Sequence, residues 1–198
     1  MSNQNKERPI LFSAPMVCAI LEGRKTVTRR EVKKPAALDC LAAGFEPAFL
    51  ALPGNADLCP YGKVGDRLWV RESWQADAQV NDVAPRELSH GEPLHYPADG
   101  ALRQTGCSMI TPGKTRPSIH MPRWVSRILL EITDVRVERL QDISEEQAKA
   151  EGPIWPVAEH LEMAWRVQFR TLWESINGAE NWKANPWVWV VEFKRVTP

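Results

Sequence analysis

The sequence predicts an α+β domain organised around a small, bent β-barrel. Segments with the alternating apolar pattern of β-strands are separated by two or three short segments with the spacing of helices. In the longest strand segment, residues 123 to 140, the apolar phase slips by one residue. Such a slip indicates a bulge or a sharp bend, which a closed barrel needs.

The N-terminal part of the chain predicts a strand, a helix and a second strand. Residues 9 to 12 have the character of a short strand, and Ser13 followed by Pro15 is typical of a helix start, where proline loses no hydrogen bond. Gly23 is expected to end this helix, because glycine readily adopts the left-handed backbone found there. Residues 27 to 32 are then expected to form a strand.

Two long segments rich in proline and glycine, residues 33 to 60 and residues 75 to 117, interrupt the regular pattern. We expect them to be loop insertions in a single domain that spans residues 1 to 198. Between them, the stretch GDRLWVRESW predicts a turn followed by a strand in which apolar and polar side chains alternate.

The C-terminal third contains the longest strand and a buried strand. One face of the long strand carries Ile128, Leu130 and Ile132. After the slip, the apolar positions are two valines. The final stretch PWVWVVEFKRV is apolar on both faces, as expected for a strand inside the sheet.

Two helices are predicted between these strands. The first, in ISEEQAKAEG, has Ser144 as its N-cap and Gln147 as the partner in a capping box, and it stops at Gly152 and Pro153. The second ends at an Asn-Gly pair. Its apolar residues near helical spacing are Leu161, Trp165, Leu172 and Ile176.

The composition is that of an ordinary globular protein. Of the 198 residues, 43% are hydrophobic and 25% are charged. No apolar run approaches the roughly 18 residues of a membrane span, and the polar N-terminus lacks the apolar core of a signal peptide. We therefore expect a cytoplasmic protein with no membrane partner. The 25 basic residues balance the 25 acidic ones, so any contact with a polyanion must be local.

The cysteines and histidines predict no metal site. The four cysteines stand far apart without a C-x-x-C pair, and the four histidines supply no close pair of ligands either. Reduced thiols are the expected state of these cysteines.

Four stretches, taken together and in this order, resemble the ASCH domain family, which belongs to the PUA-like superfamily. They are ILEGRKTVTRR, GDRLWVRESW, RWVSRILLEITDVRVERLQDISEEQAKAEG and FRTLWESINGAENWKANPWVWVVEFKRV. The sequence is most similar to the larger ASCH proteins that phages and prophages often carry. This resemblance implies a small β-barrel flanked by helices, with a cleft that receives a nucleobase in relatives.

Some ASCH proteins that are similar in these motifs hydrolyse the acyl amide of N4-acetylcytidine, whereas others are described as RNA-binding or ribonucleolytic. The amidohydrolases carry a G-x-K-x-x-T element and a glutamate at the end of the short helix after the long strand. Gly23, Lys25 and Thr28 match this element, and Glu151 matches the glutamate. The resemblance therefore implies Lys25, Thr28 and Glu151 as catalytic residues, with no metal and no cofactor.

The chemistry of these three side chains suits amide hydrolysis. Thr28 can supply a nucleophilic oxygen, Lys25 can act as a base, and Glu151 can carry a proton to the leaving nitrogen. Lys25 is a base only if its pKa is lowered, and crowding by the neighbouring arginines is expected to lower it.

The spacing of the first two residues makes a demand on the structure. Residues three apart in a strand point to opposite faces, so Lys25 and Thr28 meet only if Lys25 lies in the turn after Gly23 and curls back over the strand start. The alternative is a solvated basic turn, with Glu151 as an exposed residue in the last helical turn, where the helix dipole disfavours a carboxylate.

Six further residues are candidate contacts for a substrate or a nucleic acid: Arg24, Arg29, Arg30, Arg71, Glu72 and Trp74. The three arginines of EGRKTVTRR form a basic edge that can hold phosphate. At the end of the LWVRE strand, the arginine and the tryptophan that follows can form a cleft wall, in which Trp74 stacks on a base. The alternative there is a strand-end salt bridge beside a half-buried tryptophan.

Three functions fit these observations: an amidohydrolase acting on N4-acylated cytidine-type nucleosides, an RNA or modified-base binding module, and a ribonuclease. Zero net charge favours a small substrate or a short segment of nucleic acid. The expected partner is a modified nucleoside or RNA. No protein partner is implied, a monomer is favoured, and residues 75 to 117 are expected to form a lid over the cleft.

Overall fold

The computed structural model describes residues 5–55, 57–104, 106–152 and 164–196. Within these ranges the strands are β1 (Glu7–Leu11), β2 (Val27–Glu31), β3 (Arg67–Arg71), β4 (Leu94–Tyr96), β5 (Ala101–Arg103), β6 (Leu129–Arg139) and β7 (Trp187–Val196). The helices are α1 (Ala14–Leu21), α2 (Pro35–Ala42), α3 (Pro47–Leu50), α4 (Glu145–Ala150), α5 (Trp165–Asn177) and α6 (Ala179–Ala184). Over the same ranges, no helix is both long enough and apolar enough to cross a membrane.

The strands form a mixed five-stranded sheet in the order β1, β3, β6, β7, β2, and β4 and β5 form a separate two-stranded sheet. β1 pairs with β3 in parallel, and the other neighbours in the large sheet are antiparallel. With several short helices around this sheet, the predicted α+β class is confirmed.

Strand β7 lies between β6 and β2 and separates two apolar cores. Trp189 and Val191 on one face pack in the core that also contains residues of α1. Val188 and Val190 on the other face pack in the core that contains residues of α4 and α5. All four side chains are buried, which explains why the final strand is apolar on both faces.

A bulge bends the long strand β6. Its pairing with β7 shifts in register between Ile132 and Asp134, so Thr133 has no partner in the ladder. An extra residue of this kind bends and twists the strand that carries it. The bulge lies where the apolar pattern slips in the sequence, so the predicted bend is confirmed.

Backbone pairing does not close the sheet into the predicted barrel. β1 and β2 are the two edges, and the described residues show no pairing between them. The edges approach each other through side chains instead: Arg30 Nη2 donates a hydrogen bond to the Leu11 carbonyl at 2.6 Å, and its guanidinium packs on the Phe12 ring. The sheet is therefore curled but open along one seam.

Helices α1 and α4 begin where the sequence predicts. Ser13 is the N-cap residue of α1, although its side chain makes no capping hydrogen bond, and Pro15 lies in the first turn. In α4, the Ser144 hydroxyl accepts from the Gln147 backbone N–H while the Gln147 side chain accepts from the Ser144 N–H. The predicted capping box is complete.

The first insertion is more regular than predicted. Helices α2 and α3 lie within residues 33 to 60, and Pro35 and Pro47 are their first residues. Proline is well tolerated at the first helical position, because the N–H it lacks would have no partner there. These prolines therefore mark helix starts, and the prediction of irregular chain was wrong at both places.

The second insertion, residues 75 to 117, is rich in loops and carries the β4 and β5 pair. Leu94 and Tyr96 of this insertion pack in a separate apolar core, together with the flanking residues Trp74 and Met121. The Tyr96 hydroxyl donates to a backbone carbonyl inside this core, at a distance of 2.8 Å.

The apolar residues that bury α5 differ from those the sequence predicts. Phe169 and Trp173 are the buried residues of the helix, whereas Ile176 is 68% exposed. Both buried rings pack under β7 with residues of α4, so large aromatic side chains set the buried face. Pro153 and Leu161, which were predicted at the ends of the neighbouring helices, lie outside the described residues.

Candidate active site

A cavity of about 580 Å³ lies at the seam between the two edge strands of the sheet. Its walls come from the end of β1, the start of α1, the β2 strand, the end of α4 and one side of α5. Five of the nine candidate residues line it: Lys25, Thr28, Arg29, Arg30 and Glu151. The structure thus brings together two segments that are far apart in the sequence.

Lys25 lies in the turn before β2, with its side chain buried. The Nζ atom donates to the carbonyl oxygen of Val27 at 2.8 Å, to the carbonyl oxygen of Glu151 at 2.9 Å and to Glu151 Oε2 at 2.7 Å. Carbonyl and carboxylate oxygens only accept, so these three contacts use all three protons of an ammonium group. Lys25 therefore curls back over the start of β2, as the spacing requires.

Glu151 ends α4 as its C-cap residue and is buried against two cations. Its Oε2 atom pairs with Lys25, and its Oε1 atom accepts from Arg29 Nη1 at 3.2 Å. The alternative of an exposed glutamate at the helix end is therefore wrong. Two charge-assisted contacts compensate a carboxylate that is both desolvated and close to the negative end of a helix.

Arg29 connects Glu151 to a second layer of polar side chains. Its Nη2 atom donates to Gln147 Oε1 at 3.1 Å and lies 3.3 Å from Glu138 Oε2. Gln147 is also the capping-box residue of α4, so one amide group fixes both the helix start and the arginine. Sequence reasoning found the cap but missed this contact, and it missed Glu138 altogether.

Thr28 is the third residue at this wall of the cavity. It lies in β2 opposite Val191, is buried, and its hydroxyl forms no hydrogen bond with any described residue. Lys25 Nζ is bonded to the carbonyl of Val27, the residue next to Thr28. Lys25 and Thr28 both line the same cavity.

Gly152 allows the end of α4 to approach Lys25. Its φ angle is +71°, and a Cβ atom at this position would lie 2.8 Å from Lys25 Cβ and 3.0 Å from Ala19 Cβ. The Thr26 N–H also donates to the Ala150 carbonyl at 2.9 Å, which ties the lysine turn to the same helix end. The sequence showed Gly152 only as a helix stop, because the close approach depends on a distant segment.

Three of the predicted contacts do not line the cavity: Arg71, Glu72 and Trp74. Trp74 is fully buried in the core under the second insertion, so it cannot stack on a base. Glu72 is buried in a two-point ion pair with Arg127, at 2.9 Å for each contact. The interpretation of Glu72 and Trp74 as part of a cleft wall is therefore wrong, since Trp74 lies in an apolar core and Glu72 in an ion pair.

Arg71 is half-buried and does not line the cavity either. Its guanidinium donates to the Ile119 carbonyl and packs on the Trp69 ring. None of the residues that line the cavity comes from residues 75 to 117 in the part of the chain that is described. The expected lid is therefore absent from this structure, because that segment packs on its own core.

The predicted basic edge is largely neutralised. Arg24 pairs with Glu22 at 2.5 Å and donates to the Gly152 carbonyl, and it does not line the cavity. Arg29 forms ion pairs with carboxylates, and Lys34 Nζ donates a hydrogen bond to a backbone carbonyl. Two of the three arginines of the predicted edge are therefore paired with carboxylates.

Burial lowers the pKa of Lys25 below its ordinary value of 10.5, and this desolvation is the largest cause. Glu151 acts in the opposite direction, through its charge and its hydrogen bond, and the charges of Arg30 and Arg29 add to the lowering. The predicted lowering of this pKa is therefore confirmed, with desolvation as the main cause and two of the expected arginines as lesser ones.

This lowered pKa predicts how stability depends on pH. In the pH range just below 10.5 the unfolded chain holds the Lys25 proton more firmly than the folded chain does. The contribution of Lys25 to the free energy of unfolding therefore rises with pH in this range, and it is lost as the pH falls through the folded-state pKa. Urea unfolding of the wild type and of Lys25→Met at several pH values measures this contribution.

We compare the free energy of unfolding of the wild type with that of Lys25→Met. We expect the wild-type value minus the variant value to become more positive with rising pH, by at most about 1.4 kcal/mol per pH unit. A difference that stays constant from about pH 7 to about pH 10 would mean that the pKa of Lys25 is not lowered by folding.

The described residues contain no group of three or more histidine, cysteine, aspartate or glutamate side chains that could hold a metal ion. The four cysteines are unpaired thiols, and none of them lines the cavity.

Comparison with protein-family models and with curated proteins found no match. Among solved structures, protein EF3133 from Enterococcus faecalis V583, of the family DUF984, aligns with 98% of this chain and 82% of its own, at 10% identity and a TM-score of 0.42. A likeness this weak carries no conclusion about fold or function. The ASCH resemblance therefore stays a prediction from the sequence motifs.

Proposed function

We propose that this protein is a metal-independent amidohydrolase that removes an N4-acyl group from cytidine-type nucleosides. One observation carries the proposal: the buried Lys25 and Glu151 pair lines the same cavity as Thr28, whose hydroxyl has no bonding partner among the described residues. A nucleophile, a base and a proton donor are the three groups that cleavage of an acyl amide needs.

The cavity supports a substrate of nucleoside size. Its volume of about 580 Å³ lies within the range of roughly 300 to 1,000 Å³ that is common for small-molecule sites. The rings of Phe12, Tyr61 and Trp173 also line the cavity and supply apolar surface for a base or an acyl group.

The reaction begins with a proton transfer inside the ion pair. Lys25 Nζ gives a proton to Glu151 Oε2 along their 2.7 Å contact, which leaves a neutral amine and a carboxylic acid. Burial favours this step, because desolvation lowers the pKa of Lys25. Arg29 Nη1, 3.2 Å from Glu151 Oε1, keeps the carboxyl group in place during the transfer.

The neutral amine then activates the nucleophile. Thr28 Oγ1 attacks the acyl carbon as Lys25 takes its proton, and Glu151 gives its proton to N4 as the carbon–nitrogen bond breaks. This step releases cytidine and leaves the acyl group as an ester on Thr28. The same pair then repeats the proton transfers with water as the nucleophile and Thr28 Oγ1 as the leaving group, which releases the carboxylic acid.

Two substitutions at Thr28 test its role. We expect Thr28→Val to lower the rate of cytidine release from N4-acetylcytidine by at least about 100-fold, because it keeps the shape and the β-strand preference but removes the nucleophile. Thr28→Ser keeps a hydroxyl group and is expected to retain measurable turnover. Chromatography of the reaction mixture over time measures both rates.

Equal turnover by the wild type and Thr28→Val would remove Thr28 from the mechanism. RNA cleavage by the wild type in the absence of any deacylation would instead favour the ribonuclease alternative.

A further inference from the structure

Arg30 differs from the other cations of the cavity, because no carboxylate neutralises it. Lys25 and Arg29 pair with Glu151, and Lys33 lies 3.7 Å from a carboxylate oxygen of Glu31. Arg30 forms no ion pair with any of the described residues. Its one hydrogen bond to them is the contact of Nη2 with a backbone carbonyl, although a guanidinium has five N–H donors.

The position of Arg30 makes this lack of a counter-ion significant. Its guanidinium carbon lies 5.4 Å from the centre of the Phe12 ring, and Lys25 Nζ lies 5.5 Å from the same centre. Arg30 is half-buried, so water only partly compensates its charge. An anion bound here would therefore satisfy N–H donors that the protein leaves open, and it would do so beside the reactive lysine.

We propose that Arg30 forms a subsite for one phosphate group, so that the preferred substrate is an N4-acylcytidine monophosphate rather than the uncharged nucleoside. This inference rests on the proposed hydrolase function and names its substrate class. Arginine suits the task because its planar group offers two parallel N–H donors to a phosphate. Lys33, Ser73 and Ser118 line the same cavity and bring a second cation and two hydroxyl groups.

A free nucleotide fits these residues better than a polymer. Arg30 is a cation of the cavity without a counter-ion among the described residues, which matches one phosphate. The neighbouring Arg24 and Arg29 pair with carboxylates, and Lys34 does not line the cavity. The zero net charge of the chain also provides no general attraction for a long polyanion.

The first test compares kcat/KM for N4-acetylcytidine 5′-monophosphate and for N4-acetylcytidine. We expect the wild type to prefer the monophosphate by at least about tenfold, Arg30→Lys to keep part of this preference, and Arg30→Gln to bring the ratio close to one. Lys34→Gln is the matched control, because it removes a cation of the same segment that does not line the cavity. It is expected to keep the wild-type ratio.

A wild-type ratio close to one would overturn the proposal, and so would a preference that survives in Arg30→Gln. An oligoribonucleotide that carries a single N4-acetylcytidine separates the two sources of phosphate. Faster deacylation of this oligonucleotide than of the monophosphate would overturn the assignment to free nucleotides.

The second test measures binding and does not depend on hydrolysis. Calorimetric titration with cytidine 5′-monophosphate and with cytidine is expected to show tighter binding of the monophosphate to the wild type, and this advantage is expected to vanish in Arg30→Gln. If the wild type hydrolyses no N4-acylcytidine, the proposed reaction fails, while these titrations still decide the phosphate subsite. Equal affinity of the wild type for the two compounds would rule the subsite out.

Discussion

We expect Glu151→Gln to lower the free energy of unfolding by about 3 kcal/mol, because removing one partner of a buried ion pair leaves the other charges uncompensated. Lys25 loses its carboxylate, and Arg29 keeps only Glu138 and Gln147. The same substitution removes the acid that protonates the leaving nitrogen, so we also expect deacylation to slow by at least about 100-fold. Urea unfolding and cytidine release measure the two effects.

The matched control for this prediction is Glu72→Gln. Glu72 is also buried in an ion pair with an arginine, Arg127, but the pair does not line the cavity. We expect this variant to lose stability and to keep its activity. A Glu151→Gln protein as stable as the wild type would show that the buried pair contributes no net stability.

We expect Gly152→Ala to reduce both stability and activity. The left-handed backbone costs an alanine about 1 to 2 kcal/mol. The added Cβ would also lie 2.8 Å from Lys25 Cβ, and such overpacking costs about 1 to 3 kcal/mol more. Since the lysine turn must move to relieve the contact, the Lys25 to Glu151 geometry changes with it. Urea unfolding and deacylation rates again give the two measurements.

Gly100→Ala is the control for this prediction, because it measures the cost of backbone strain without any contact with the site. Gly100 has a similar φ angle of +74°, but an added Cβ would meet nothing within 4 Å. This control is expected to lose only the strain energy, about 1 to 2 kcal/mol, and to keep full activity. Equal losses of activity in both variants would show that Gly152 has no special role at the site.

The parts of the fold that local patterns determine could be predicted from the sequence. The capping box of α4 depends on two residues three positions apart, and the bulge in β6 appears as a slip in the apolar alternation. The placement of Lys25 in a turn also followed from local geometry, because strand alternation excludes the other arrangement. In each case the residues that carry the signal are neighbours in the chain.

The parts that long-range contacts determine could not be predicted. The role of Gly152 depends on a side chain on a distant turn, and the burial of Trp74 depends on how the second insertion packs. The three arginines near Lys25 look equivalent in the sequence. The structure distinguishes them by their partners: Arg24 and Arg29 have carboxylates, and Arg30 has none among the described residues.

The most direct test of the proposed function compares three proteins with one substrate. We predict that the wild type and Glu72→Gln release cytidine and acetate in equal amounts from N4-acetylcytidine, at similar rates, and that Glu151→Gln is at least about 100-fold slower. No release of cytidine by the wild type, or equal rates for the wild type and Glu151→Gln, would contradict the assignment of this cavity as an amidohydrolase site.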